Sequence, residues 1–133
     1  MSGFPYLSSC AKSDLRLFQK QHSMRPLPYC CGDRGAYTRN GNWLDLWSYK
    51  TNVMHAEIVT DDSAVSTVHT IAVVDVLWHK YTQTTMNHIN AFLRMLREEC
   101  DLVMVNTDGY GGYTNQTHFT AAEWKRMFCE EVA

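Results

Sequence analysis

From Ala36 to Trp78 the chain has the texture of β sequence, with short runs in which apolar and polar residues alternate, and this pattern constrains the fold more than any other feature. In "NVMHAEIV", Met54, Ala56 and Ile58 alternate with His55 and Glu57. A period of two puts the apolar set on one side of an extended chain and the polar set on the other. The expected product is a half-buried strand in a sheet with one covered and one wet face. Upstream, Asn40-Gly41 separates "AYTR" from "WLDLWSYK", a hairpin signal because both residue types tolerate positive φ. Downstream, "STVHTIAVVDVLW" has Val68, Ala72, Val74 and Val76 on one side and Ile71, Val73 and Leu77 on the other. That run predicts a central strand covered on both faces.

Helical spacing appears on either side of this β region. "SSCAKSDLRLFQKQHS" carries Leu15, Leu17 and Phe18 with Ser9 or Ser13 as cap, and "TTMNHINAFLRMLREEC" aligns Met86, Ile89, Phe92, Leu93 and Leu96 on one stripe with Thr84 or Thr85 as cap. Two prolines and "YCCGDRG" mark Met24 to Gly35 as an irregular connection. "DLVMV" reads as a short buried strand, and "TAAE" at 120–123 is a capping box opening a helix striped by Trp124, Met127, Phe128 and Val132. The expectation is one α+β domain over residues 1–133. Its mainly antiparallel sheet has four to five strands, about 36–39, 43–50, 52–59, 66–78 and 101–106, packed by helices about 10–22, 85–99 and 121–131.

Composition narrows the function. With 133 residues, 45% hydrophobic and 20% charged, the chain can bury its own core. A net charge of -2 disfavours a domain whose affinity comes from neutralising many phosphates, so nucleic acid is not the favoured partner. No apolar window is long enough to span a bilayer and the first residues lack a leader pattern, which reads as a soluble, unexported, cytoplasmic protein without a membrane partner. Five cysteines form an odd set, so reduced thiols are expected.

The stretch "TDGYGGYTNQTHFT" invites a phosphate-cradle reading, but a cradle needs its glycines at a helix N-terminus. Here the Thr120 cap stands eight residues beyond Gly112, and no Lys follows the glycines. The Tyr, Gly and Asn content instead fits an adaptable recognition loop, with Tyr110, Tyr113 and Phe119 as contact candidates. Trp43, Trp47 and Tyr49 share one side of their strand if Leu44 and Leu46 face the core, and that side is either a partner surface or lies under a helix. Cysteine and histidine spacing completes no zinc set, and no metal or cofactor is assigned. Asp75, His79, His88 and Asp108 are the candidates for an alternative metal-dependent nuclease or hydrolase, with a hydrogen-bonded structural role as the competing reading of His88. Another alternative is single-strand nucleic-acid binding, with Tyr and Trp stacking beside Arg34, Arg39 and Lys50.

Ser48, Tyr49, Thr51 and Val53, followed by Tyr81, Thr82, Thr84, Thr85, His88, Ile89, Phe92 and Leu93, give a pattern S-Y-x-T-x-V then Y-[ST]-x-T-T-x-x-H-I-x-x-F-L. Over residues 43–96 this resembles a class of small bacteriophage proteins of unsettled activity. The spacer between the two halves is longer than is usual for that class. The resemblance implies a non-enzymatic viral accessory protein, acting in the host cytoplasm by binding a host protein, such as a component of a CRISPR-Cas defence system. A homo-oligomer is compatible with the same surfaces.

Overall fold

The computed structural model describes residues 9–30, 34–61, 69–77, 82–106, 112–115 and 118–124. In chain order the elements are α1 (Ser9–Gln21), β1 (Arg25–Pro26), β2 (Gly35–Asn40), β3 (Trp43–Ser48), β4 (Thr51–Asp61) and β5 (His69–Val76), then α2 (Gln83–Glu99), β6 (Leu102–Asn106), β7 (Tyr113–Asn115) and α3 (Ala121–Trp124). All the strands belong to one sheet in the order β1-β2-β3-β4-β5-β6-β7. Every pairing is antiparallel except β5 with β6, the parallel pair that α2 connects.

The α+β class and the mainly antiparallel sheet agree with the sequence expectation, but among the described residues the sheet has seven strands, not four to five. The two additions are the edges. β1 is two residues long and includes Pro26, which has no N–H to give a ladder, so it can only sit at an edge. β7 lies inside the tyrosine and glycine stretch that reads as a loop. The middle strand is β4, with β5 beside it. Nor is β5 covered on both faces: Ala72 and Val74 are buried, while Ile71, Val73 and Asp75 are half-buried. Of the helix expected over 121–131, residues beyond Trp124 lie outside the described set, including Met127, Phe128 and Val132.

Local chemistry accounts for the boundaries. The β2–β3 hairpin turns on Gly41, which has φ 63°, and Asn42. Thr82 caps α2, its hydroxyl accepting from the Thr85 N–H at 3.0 Å, so the helix starts earlier than Thr84 or Thr85. The capping box forms as expected: Thr120 N–H donates to Glu123 Oε1 at 3.1 Å and Glu123 N–H to Thr120 Oγ1 at 3.2 Å.

One face of the sheet forms the core against α2. Leu44 and Leu46, Met54, Ala56 and Ile58, Ala72 and Val74, and Val103 and Val105 meet the predicted stripe Met86, Ile89, Phe92, Leu93 and Leu96. Each large side chain buried there contributes about 1.5–3 kcal/mol. Cys100 closes α2 and is buried; desolvation, with Glu99 second, pushes its thiol up to about 11. It packs as a small hydrophobe.

His88 fits into this face from α2. Its exposure is 2%, and a 2.9 Å hydrogen bond links its Nδ1 to Ser48 Oγ. The ring lies so close to β2 that a Cβ on Gly35 would stand 2.6 Å from His88 Cδ2. A side chain at residue 35 would therefore displace the imidazole. We expect Gly35→Ala to destabilise the protein by about 1–3 kcal/mol by overpacking, and to cost far less in a His88→Ala background, as a double-mutant cycle in urea would measure.

Burial, with the charge of Arg34 second, pushes the His88 pKa down from 6.5 to about 4. The folded ring stays neutral at pH values where the unfolded chain already takes up a proton. This contribution to stability is thus fully present above 6.5 and is lost as pH falls from 6.5 to about 4. The loss should reach about 3 kcal/mol, and denaturation midpoints across that window should show a shallower slope for His88→Asn, which retains a side-chain partner for Ser48.

Candidate functional site on the open face of the sheet

The other face carries polar residues in register. Thr38, Asp45, His55, Asp75, Asn106 and Tyr113 are successive cross-strand partners from β2 to β7. Directly opposed residues share a face and come close enough to interact, so the register lays these side chains out as one row. His55 Nδ1 and Asp45 Oδ1 are 3.0 Å apart, and Asn52 Nδ2 donates to the same oxygen at 3.3 Å. Farther along, Asn106 Nδ2 donates to Asp75 Oδ1 at 3.1 Å. The Tyr113 hydroxyl also bonds Asp75; desolvation first, and the Asp75 charge and bond next, raise its pKa above the usual phenol value. Trp43, next to the row, is 50% exposed and stacks on His55 with centroids 5.2 Å apart.

A β-bulge makes this row possible. Ser48 pairs with Thr51 and Trp47 with Asn52, but Leu46 pairs with Met54, leaving Val53 as an extra residue. Continuing the turn register without it would set Met54 opposite Asp45, an apolar core residue against a wet one. With it, Met54 meets Leu46 in the core and His55 meets Asp45 on the open face.

The residues singled out from sequence separate in the structure. Trp43 and Trp47 share the open face, but α1 packs over Trp47, with the Phe18 ring edge-on at 6.0 Å and His22 at 6.3 Å. Trp47 Nε1 donates to Thr38 Oγ1 at 3.4 Å. Tyr49 does not share that strand face. β3 ends at Ser48, and Tyr49 occupies the turn with φ 58°, its N–H donating to Arg34 O at 2.7 Å. Tyr113 is on β7 and is 43% exposed. Phe119, expected as a contact residue, is fully buried. Asn90 clamps its backbone, accepting from Phe119 N–H and donating to Phe119 O, both at 2.9 Å.

Of the alternative catalytic set, Asp75 lies on the open face and His88 on the covered one, so the sheet stands between them. Tyr110, His79 and Asp108 lie outside the described residues. Among the described residues no group of three or more His, Cys, Asp or Glu could hold a metal ion. No described helix is long and apolar enough to cross a membrane. Arg39 forms a bidentate pair with Glu99, both bonds 2.7 Å, and Lys50 pairs with Asp14; neither belongs to the aromatic row.

Asp45 and His55 are among the site residues that sequence reasoning did not single out. Their wet positions were visible in the alternation, but their pairing depends on the bulge. Together the row offers an oriented imidazole, a carboxylate held by an amide and a phenol, and an exposed indole. Asp45 and Asp75, with Glu57 opposite Trp43, make the surface acidic. No protein-family model, curated protein or solved structure matches this chain.

Proposed function

We propose that this chain acts by binding another protein, with the open face around Trp43 as the contact surface. The observation that carries the reading is the half-exposed indole of Trp43, stacked on an imidazole that Asp45 holds in place. A rigid aromatic side chain loses little entropy on docking, and indoles of this kind are enriched among residues that dominate interface energy. Tyr113 adds a second exposed ring on the same face, bonded to Asp75. Asp45, Glu57 and Asp75 around these rings suit a partner with an apolar socket and a basic rim. The bacteriophage resemblance of residues 43–96 supports a host protein as that partner, a component of a defence system such as CRISPR-Cas among them.

The Asp45–His55 bond beside Asp75 favours a second reading, hydrolysis by an acid–base pair without the His88 arm of the earlier candidate set. Single-strand binding has less support, since the open face is acidic and Arg39 and Lys50 are ion-paired.

Capture from a host lysate, followed by titration of the purified partner, separates these readings. Binding predicts that Trp43→Ala weakens the complex by about thirtyfold or more, the range of a hot-spot tryptophan, with the melting temperature nearly unchanged. Partner affinity indifferent to Trp43→Ala and Tyr113→Ala would remove the open face as the contact surface. Hydrolysis predicts substrate turnover that His55→Ala abolishes, whatever is captured.

A further inference from the structure

A groove of about 710 Å³ opens on the α2 side of the sheet, away from the open face. Its size falls within the range of about 300–1,000 Å³ typical of small-molecule sites. Three arginines line it: Arg34 from the segment entering β2, and Arg94 and Arg97 from adjacent turns of α2. His88 and His118 line it too, and among its described lining residues there is no Asp or Glu. This is local segregation of charge, since the chain as a whole carries -2. Elsewhere Arg39 and Lys50 are matched to carboxylates, whereas among the described residues none of the three groove arginines forms a salt bridge.

Two of the groove arginines are also held in position. The Arg94 guanidinium lies 4.0 Å from the centroid of the Tyr29 ring, and the Tyr29 hydroxyl donates to Glu98. Tyr29 itself has φ 63°, a left-handed conformation that costs a tyrosine about 1–3 kcal/mol and that clusters at ligand sites. A guanidinium set over an aromatic ring in this way uses none of its N–H donors in the contact, so they are available to an anion. Arg97 Nη1 donates to Asp101 O at 2.6 Å, which uses one of its five N–H donors and orients the rest.

We infer that this groove binds a small phosphorylated molecule through Arg34, Arg94 and Arg97. Three guanidinium forks suit a multiply charged phosphoryl group, whereas a single carboxylate would leave most of that charge unmatched. The volume exceeds that of inorganic phosphate and leaves room for an organic part.

Calorimetric titration of the full chain with ATP, pyrophosphate and adenosine, without added metal, tests this. ATP or pyrophosphate should bind, and adenosine should not. A clear preference for ATP identifies a nucleotide-like ligand, and equal affinity identifies the phosphoryl group as the whole determinant. Arg34→Gln and Arg94→Gln should each weaken binding about tenfold or more, the value of a lost charge-assisted bond, with Arg94→Lys intermediate and Trp43→Ala without effect. Tyr29→Ala should weaken it while circular dichroism shows the fold retained. Absence of ATP and pyrophosphate binding up to about 5 mM, a limit corresponding to roughly 3 kcal/mol of affinity, would overturn the assignment. So would affinity unchanged in both glutamine variants, or binding of a single-stranded oligonucleotide alone.

Discussion

The arrangement of both faces depends on the single extra residue in β4. Val53 changes the phase of β4 relative to β3, and a strand with period two has only two phases. In one, Met54, Ala56 and Ile58 join Leu44 and Leu46 beneath α2. In the other they would face water and His55 and Glu57 would be forced into the core. The bulge sets the first close to the β3–β4 turn, and the registers of β5 and β6 continue it across the sheet. The covered core and the polar row are thus two results of one register.

This division also keeps two kinds of chemistry apart. Histidines on the two faces have different surroundings: His55 is half-buried beside a carboxylate and an indole, and His88 is enclosed by Ser48, Gly35 and apolar side chains near Arg34. Acidic groups gather on the open face, and arginines without a salt bridge among the described residues gather beside α2. A chain with little net charge therefore presents two surfaces of opposite sign, suited to different ligands.

Features governed by neighbours in sequence were legible before the structure. The alternation of residues 52–59, the stripe of α2 and the reciprocal Thr120–Glu123 cap all depend on local spacing. Features that depend on distant partners were not. Phe119 looked like part of a recognition loop because nothing near it signals that Asn90, on another element, binds its backbone on both sides. Tyr49 looked like a strand residue because its neighbours are β formers, yet the turn adopts φ 58° there. β1 was hidden by Pro26, and β7 by the glycines around it. The groove could not be seen because Arg34 and Arg94 are brought together only when α2 lies across the sheet.

The ends of the sheet decide how another chain could approach. A peptide that extends a sheet needs a run of free main-chain donors and acceptors along an edge strand. Among the described residues β1 offers two, one without an N–H, and β7 offers three. Such short borders give strand addition, whether by a partner or by a second copy, little to grip. The proposed recognition would then fall to side chains on the flat of the sheet and along the helix, where specificity can shift one residue at a time while the backbone stays the same.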